Sequence, residues 1–201
     1  MKLTEILLPT AYLPPIGYFR LIAGAEKIMI ENEENYIKQT FRNRCTILSV
    51  NGTLNLVVPV RKGTSLKTAL KDAMIDYSKR WQQTHIRAIS AAYGKSPFFQ
   101  FYSEHFEKII LKNYKYLIDL NNSMLNECLS IINLKRDISY TSFFTIPGKA
   151  ENDFRYTAMP DLISDFKPKQ YIQVFSSEKP VPGLSIIDLI FNTGPDTSGF
   201  L

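Results

Sequence analysis

The chain has 201 residues, 45% hydrophobic and 21% charged, which is material for one domain with a sizeable core. Its net charge of +5 is a mild bias that an ordinary basic surface explains better than an anionic ligand or a nucleic acid does, and it is weaker than the clustering typical of nucleic-acid binders. No apolar run reaches the ~18 residues that span a bilayer, the N-terminal stretch lacks the features of a signal peptide, and two Cys cannot form a disulfide framework, so a cytoplasmic protein without a membrane span is expected.

Leu3 to Leu8 is a short apolar run suited to a buried strand. Pro14-Pro15 opens a helix through Ile16 to Ala23, Lys27 to Ile30 reads as a second strand, and the polar stretch Glu31 to Gln39 as a loop. Phe41 to Val50 and Leu54 to Val60 are strands joined at Asn51-Gly52, a strong hairpin signal. Lys62 to Leu70 is a connection, Met74 to Tyr77 a short strand, and a helix begins at Trp81. Ser96-Pro97 supplies an N-cap and first helical position for a helix reaching Leu111. Leu117, Leu120, Met124, Leu125, Cys128, Leu129 and Ile132 recur at helical spacing within Tyr114 to Asn133. Ile138 to Phe144 reads as a strand, Pro147 to Pro168 as an irregular lid or loop, and Tyr171 to Phe175 as a strand. Ser185 to Asn192 is a last helix closed by Gly194-Pro195, with Asp188 placed for a capping-box role. The sum is a mixed α/β (α+β) fold: a single domain over 1–201, with a mixed sheet that includes an antiparallel hairpin at 41–60, packed by several helices.

A two-residue turn at Asn51-Gly52 pairs Ile47 with Leu56, Cys45 with Val58 and Arg42 with Arg61. Phe41, Cys45, Ile47, Leu56 and Val58 then form the core face, and Arg42, Arg44 and Arg61 share the other. Like charges on neighbouring strands repel, so such a cluster is solvated, paired with acids or matched to a bound anion.

Residues 75–99 hold the only Trp and one of the two His. At about 100° per residue, Trp81, His85, Ile86, Ile89, Ala92 and Tyr93 fall within an arc of roughly 140°, with Arg80 and Arg87 to one side. His85 therefore sits in the apolar half, as a half-buried histidine held by backbone or as a general base at a pocket edge. Gly94-Lys95-Ser96 is not a phosphate-binding loop, because Ile89 stands where the pattern needs Gly and a helix precedes it. The corner reads as a helix end at Gly94 and a new start at Ser96, with Lys95 available to an anion.

Five blocks in order, Tyr12 to Ile22, Glu34 to Ile47, Leu56 to Gly63, Trp81 to Phe99 and Leu184 to Thr197, resemble the WbqC-like family along nearly the whole chain. The resemblance implies a bacterial cytoplasmic protein of surface-polysaccharide or O-antigen biosynthesis. It further implies a transferase forming an acyl or aminoacyl amide on a nucleotide-activated amino sugar, or else a non-catalytic subunit that binds such an anion or scaffolds the pathway. An anionic small molecule such as a nucleotide sugar is then the expected partner, and nucleic acid ranks behind it. The candidate base is His85, with Asp76 or Glu34 as orienting acid. The candidate phosphate-binding groups are Arg42, Arg44, Arg61, Arg80, Arg87 and Lys95, and Trp81 and Tyr12 are candidate stacking surfaces. Cys45 falls on the apolar hairpin face, which suits core packing better than acyl transfer. No metal-ligand pattern is present in the sequence, and the cofactor is left open.

Overall fold

A computed structural model describes residues 3–61, 68–156, 169–175 and 181–201. Strand β1 (Leu3–Pro9) leads through helix α1 (Ile16–Gly24) to strand β2 (Ala25–Glu31), which lies parallel to it, with Leu3 opposite Ala25 and Leu8 opposite Ile30. Helix α1 starts directly after Pro14-Pro15, because a fixed φ suits a helix start and the missing N–H costs nothing there.

The strand expected over 138–144 is shorter. It forms β5 (Asp137–Tyr140), parallel to β2 on its other side. On the free edge of β1, Asp153 makes a parallel bridge to Leu7: Leu7 N–H donates to Asn152 O at 3.0 Å and Phe154 N–H donates to Leu7 O at 2.9 Å. All these segments run one way, so Pro9, Glu31 and Thr141 gather on a single rim at the carboxyl ends of the strands. Ile6, Leu8, Ile28 and Ile30 project from one face into the core.

The hairpin, β3 (Arg44–Ser49) and β4 (Gly52–Val57), stands as a separate two-stranded sheet. Its register differs from the expected one. Ser49 lies opposite Gly52, Ile47 opposite Leu54, Cys45 opposite Leu56 and Arg44 opposite Val57. The cause is the turn. Val50 and Asn51 keep negative φ while Gly52 takes the left-handed value of 98°, as in a turn closed by a glycine bulge. A slip of two residues preserves side-chain parity. Cys45, Ile47, Leu56 and Val58 therefore still face the core, each at most 3% exposed.

Among the described residues, four more α-helices follow: α2 (Trp81–Tyr93), α3 (Phe99–Leu111), α4 (Leu117–Ile131) and α5 (Ile186–Thr193). Helix α5 is apolar on nearly all sides because it lies inside the molecule. Its Phe191 ring meets Tyr93 at 5.3 Å, Phe99 at 5.1 Å and Phe106 at 5.5 Å. Ser185 fixes its start, accepting from Ile187 N–H at 3.5 Å and donating to Leu13 O at 2.8 Å.

Other expectations are corrected. Helix α2 does end at Gly94, with a right-handed φ of −58°, but Phe98 rather than Ser96 precedes α3, and the buried Ser96 hydroxyl caps no N–H among the described residues. Met74 to Tyr77 forms no strand, only antiparallel bridges from Ile75 to Val60 and from Met74 to Tyr116. Tyr171 to Phe175 is not a strand either, since its polar side chains turn towards α5. Of the irregular stretch after Pro147, residues 157–168 lie outside the described residues, as do residues 62–67 of the preceding connection.

Candidate functional site

Trp81, His85 and Ala88 follow at spacings of four and three, so they form one stripe on α2. That stripe and strand β4 enclose a cavity of about 410 Å³. Leu54, Leu56, Val57, Pro59, Trp81 and Ala88 give it apolar walls, and Lys79 and Arg80 bring two cations to it. Asn55, Thr84 and His85 complete the lining, which among the described residues contains no acid.

His85 is 3% exposed and its two ring nitrogens are both engaged. Nε2 lies 3.2 Å from Val57 O and Nδ1 lies 3.0 Å from Tyr12 Oη. A carbonyl can only accept, so Nε2 carries the proton and donates to Val57. Nδ1 is then the acceptor, and the Tyr12 hydroxyl donates to it. Burial pulls the imidazole down to about 4, against the opposing pull of the Val57 carbonyl. The ring is therefore neutral at physiological pH. The Trp81 ring meets it edge-on at 5.1 Å.

Of the expected site residues, Trp81, His85 and Arg80 come together in this cavity. Arg87 and Lys95 are exposed and do not line it. Asp76 accepts from Ser78 N–H at 2.8 Å, and neither ring nitrogen of His85 is directed to it. The groups that orient His85 are Tyr12 and Val57, replacing the acid anticipated in that role. Tyr12 is fully buried, so its ring offers no face to a ligand.

The arginine cluster expected on the hairpin does not assemble. Arg42 precedes β3 and turns inward to Glu34, its Nε at 2.6 Å from Oε1 and its Nη2 at 2.5 Å from Oε2. Glu34 is thereby committed to Arg42. Arg44 is half-buried opposite Val57, and Arg61 is exposed where its backbone N–H donates to Met74 O at 2.9 Å. Cys45 and Cys128 are buried, and burial raises both thiols far above their ordinary range, which leaves no ready thiolate.

Sequence reasoning missed the groups on the rim of the parallel strands, where ligands of open α/β sheets commonly bind. Glu31, at the end of β2, pairs with Arg155 and accepts from the Thr141 hydroxyl at 2.6 Å. Arg155 also holds Asp153, at 2.8 and 2.7 Å. Burial alone would raise Asp153, but these hydrogen bonds outweigh it and the carboxyl sits below its usual range. Tyr156 donates to Glu34 at 3.0 Å, and its ring lies 5.8 Å from the Arg42 guanidinium and 5.2 Å from that of Arg155. Burial, then the Glu34 charge, push this phenol up to about 12. The partners are up to 124 residues apart, so no local spacing announces them.

Asp188, read from the sequence only as a capping residue, is engaged differently. Its Oδ2 accepts from the Tyr171 hydroxyl at 2.5 Å and from Gln173 Nε2 at 2.7 Å, in place of the capping role expected for it. Burial raises this carboxyl above its usual range, against those hydrogen bonds. Among the described residues, no group of three or more His, Cys, Asp or Glu is arranged to hold a metal ion, and no helix is long and apolar enough to cross a membrane.

Two comparisons bear on this arrangement. The model of the WbqC-like protein family matches residues 10–179. The chain is also similar to the uncharacterized protein Rv1507c of Mycobacterium tuberculosis (strain ATCC 25618 / H37Rv), 25% identical over an alignment that covers 94% of each chain. No solved structure matches it.

Proposed function

The chain belongs to the WbqC-like protein family, and on that premise we propose that it serves polysaccharide biosynthesis by binding a nucleotide-activated amino sugar in the cleft between β4 and α2. The observation that carries this reading is the lining. Lys79 and Arg80 stand at a cavity whose described lining holds no acid and is otherwise mostly apolar, Trp81 included. Phosphates match Lys79 and Arg80, while the sugar or base covers the apolar wall. The volume of about 410 Å³ falls within the range of small-molecule sites. In the transferase reading, the amine of the bound sugar attacks an activated acyl or aminoacyl donor and the donor's carrier group leaves.

The engagement of both His85 nitrogens favours a second reading, in which the protein binds the sugar nucleotide and leaves the chemistry to another subunit. Thermal unfolding with uridine and thymidine diphosphate sugars tests the common part. Binding raises Tm by mass action, and Arg80→Glu removes the shift. No shift at millimolar ligand would end both readings. His85→Gln then separates them: transferase activity lost with binding retained supports a chemical role, and cellular function retained supports the binding subunit.

A further inference from the structure

The outer edge of β4 carries backbone groups that the fold does not use. Pro59 O and Arg61 N–H point away from β3, because they bond to Asp76 N–H at 2.8 Å and to Met74 O at 2.9 Å. Backbone direction alternates along a strand, so Val57, Asn55 and Thr53 point the same way. The carbonyl of Val57 is taken by His85. Among the described residues, nothing pairs with the outward N–H and C=O of Asn55 and Thr53. Among the described residues, segment 74–76 lies against one stretch of this edge and the next stretch is open. Asn55 of that stretch, with Leu54, Leu56 and Val57, forms one wall of the cavity, and α2 forms the other.

We propose that the groove between β4 and α2 is also a docking site for an extended acidic peptide, which adds to β4 as a third strand. Main-chain bonds to Thr53 and Asn55 would hold it, one apolar side chain would cover Leu56, Trp81 and Ala88, and a carboxylate would meet Lys79 or Arg80. The absence of any acid in the lining selects against a basic peptide. Helix α2 stands beside the edge, so the opening suits a single strand better than the flat β4 edge of a second copy. The inference does not depend on the nucleotide-sugar reading, although both ligands meet the same cations and should compete.

The probe is the blocked hexapeptide (Val-Asp)3, titrated into the full chain and followed by amide hydrogen exchange. Saturation should slow exchange at Thr53 and Asn55 by at least tenfold. N-methylating alternate peptide residues should weaken binding at least tenfold, and so should Asn55→Pro. This substitution deletes an N–H that faces away from β3, at the kind of edge position that tolerates proline. If Asn55→Pro does not fold, the N-methylated peptide decides alone. Binding that leaves these amides unprotected, equal binding of the N-methylated peptide, or no binding at millimolar concentration overturns the proposal. So does protection that rises with protein concentration in the absence of peptide, which would assign the edge to a second copy. N-methylation alters only the peptide, so a diphosphate-sugar Tm shift measured on the same unaltered chain shows that failure of the peptide is separate from the cleft's other reading.

Discussion

Arg42 and Glu34 are eight residues apart, and their side chains meet through two hydrogen bonds of 2.6 and 2.5 Å with both groups withdrawn from solvent. Each ion paid a desolvation cost that the other offsets, so removing either leaves an uncompensated buried charge. Glu34→Ala is expected to lower the unfolding free energy by ~3–5 kcal/mol, which for a chain of this size is roughly 10 °C in Tm. The double variant Glu34→Leu/Arg42→Met should recover most of it, because an apolar pair of similar volume needs no compensation. Denaturant titration of the single and double variants checks this, and a double variant no more stable than Glu34→Ala would contradict it. The same residue shows how composition misleads about a site. In the sequence Arg42 is one of three nearby cations, and only the fold shows that its charge is already spent.

Between β3 and β4 the turn depends on one residue. Gly52 has φ 98°, and a Cβ built there meets nothing within 4 Å. Any cost of substitution is therefore backbone strain without a steric clash. Gly52→Ala should destabilise by ~1–2 kcal/mol and Gly52→Asn by less, since Asn enters the left-handed region more readily. Equal unfolding midpoints for the two variants would refute the strain argument. Elements of this kind were legible to different degrees. Helices α1, α2 and α4 and strands β1 and β2 were readable because apolar spacing and Pro14-Pro15 are local signals. The hairpin was readable in its existence and its faces, yet its register was not, because Asn-Gly permits more than one turn geometry. Tyr171 to Phe175 resembled a strand in composition, but Tyr171 and Gln173 are recruited by Asp188, fifteen or more residues away. In the candidate site, Trp81 and His85 were readable as one helical stripe. The β4 wall, the Tyr12 partner and the Val57 carbonyl required the tertiary structure.

Across the whole molecule, two buried titratable groups act on stability in opposite directions. His85 falls from 6.5 in the unfolded chain to about 4 in the fold, so between those pH values the unfolded chain binds more protons. Stability from this group is complete above pH 6.5 and is lost as pH falls towards 4, by ~3 kcal/mol in total. Asp188 is raised above its ordinary 3.8, so the folded chain holds its proton more tightly. Its contribution is complete below that value and is lost as pH rises through the folded pKa. In the wild type the two slopes oppose each other over the pH range that they share. Asp188→Asn should therefore show stability rising more steeply with pH from 4 to 6.5 than the wild type does, whatever its absolute loss. His85→Gln should lose the rise and keep the opposing slope. Urea midpoints at half-unit pH intervals separate slope from offset. Parallel curves for wild type and Asp188→Asn would mean that the Asp188 carboxyl titrates as it does in the unfolded chain. An undiminished slope in His85→Gln would mean that the imidazole does not enter the fold in the neutral form that its two hydrogen bonds require.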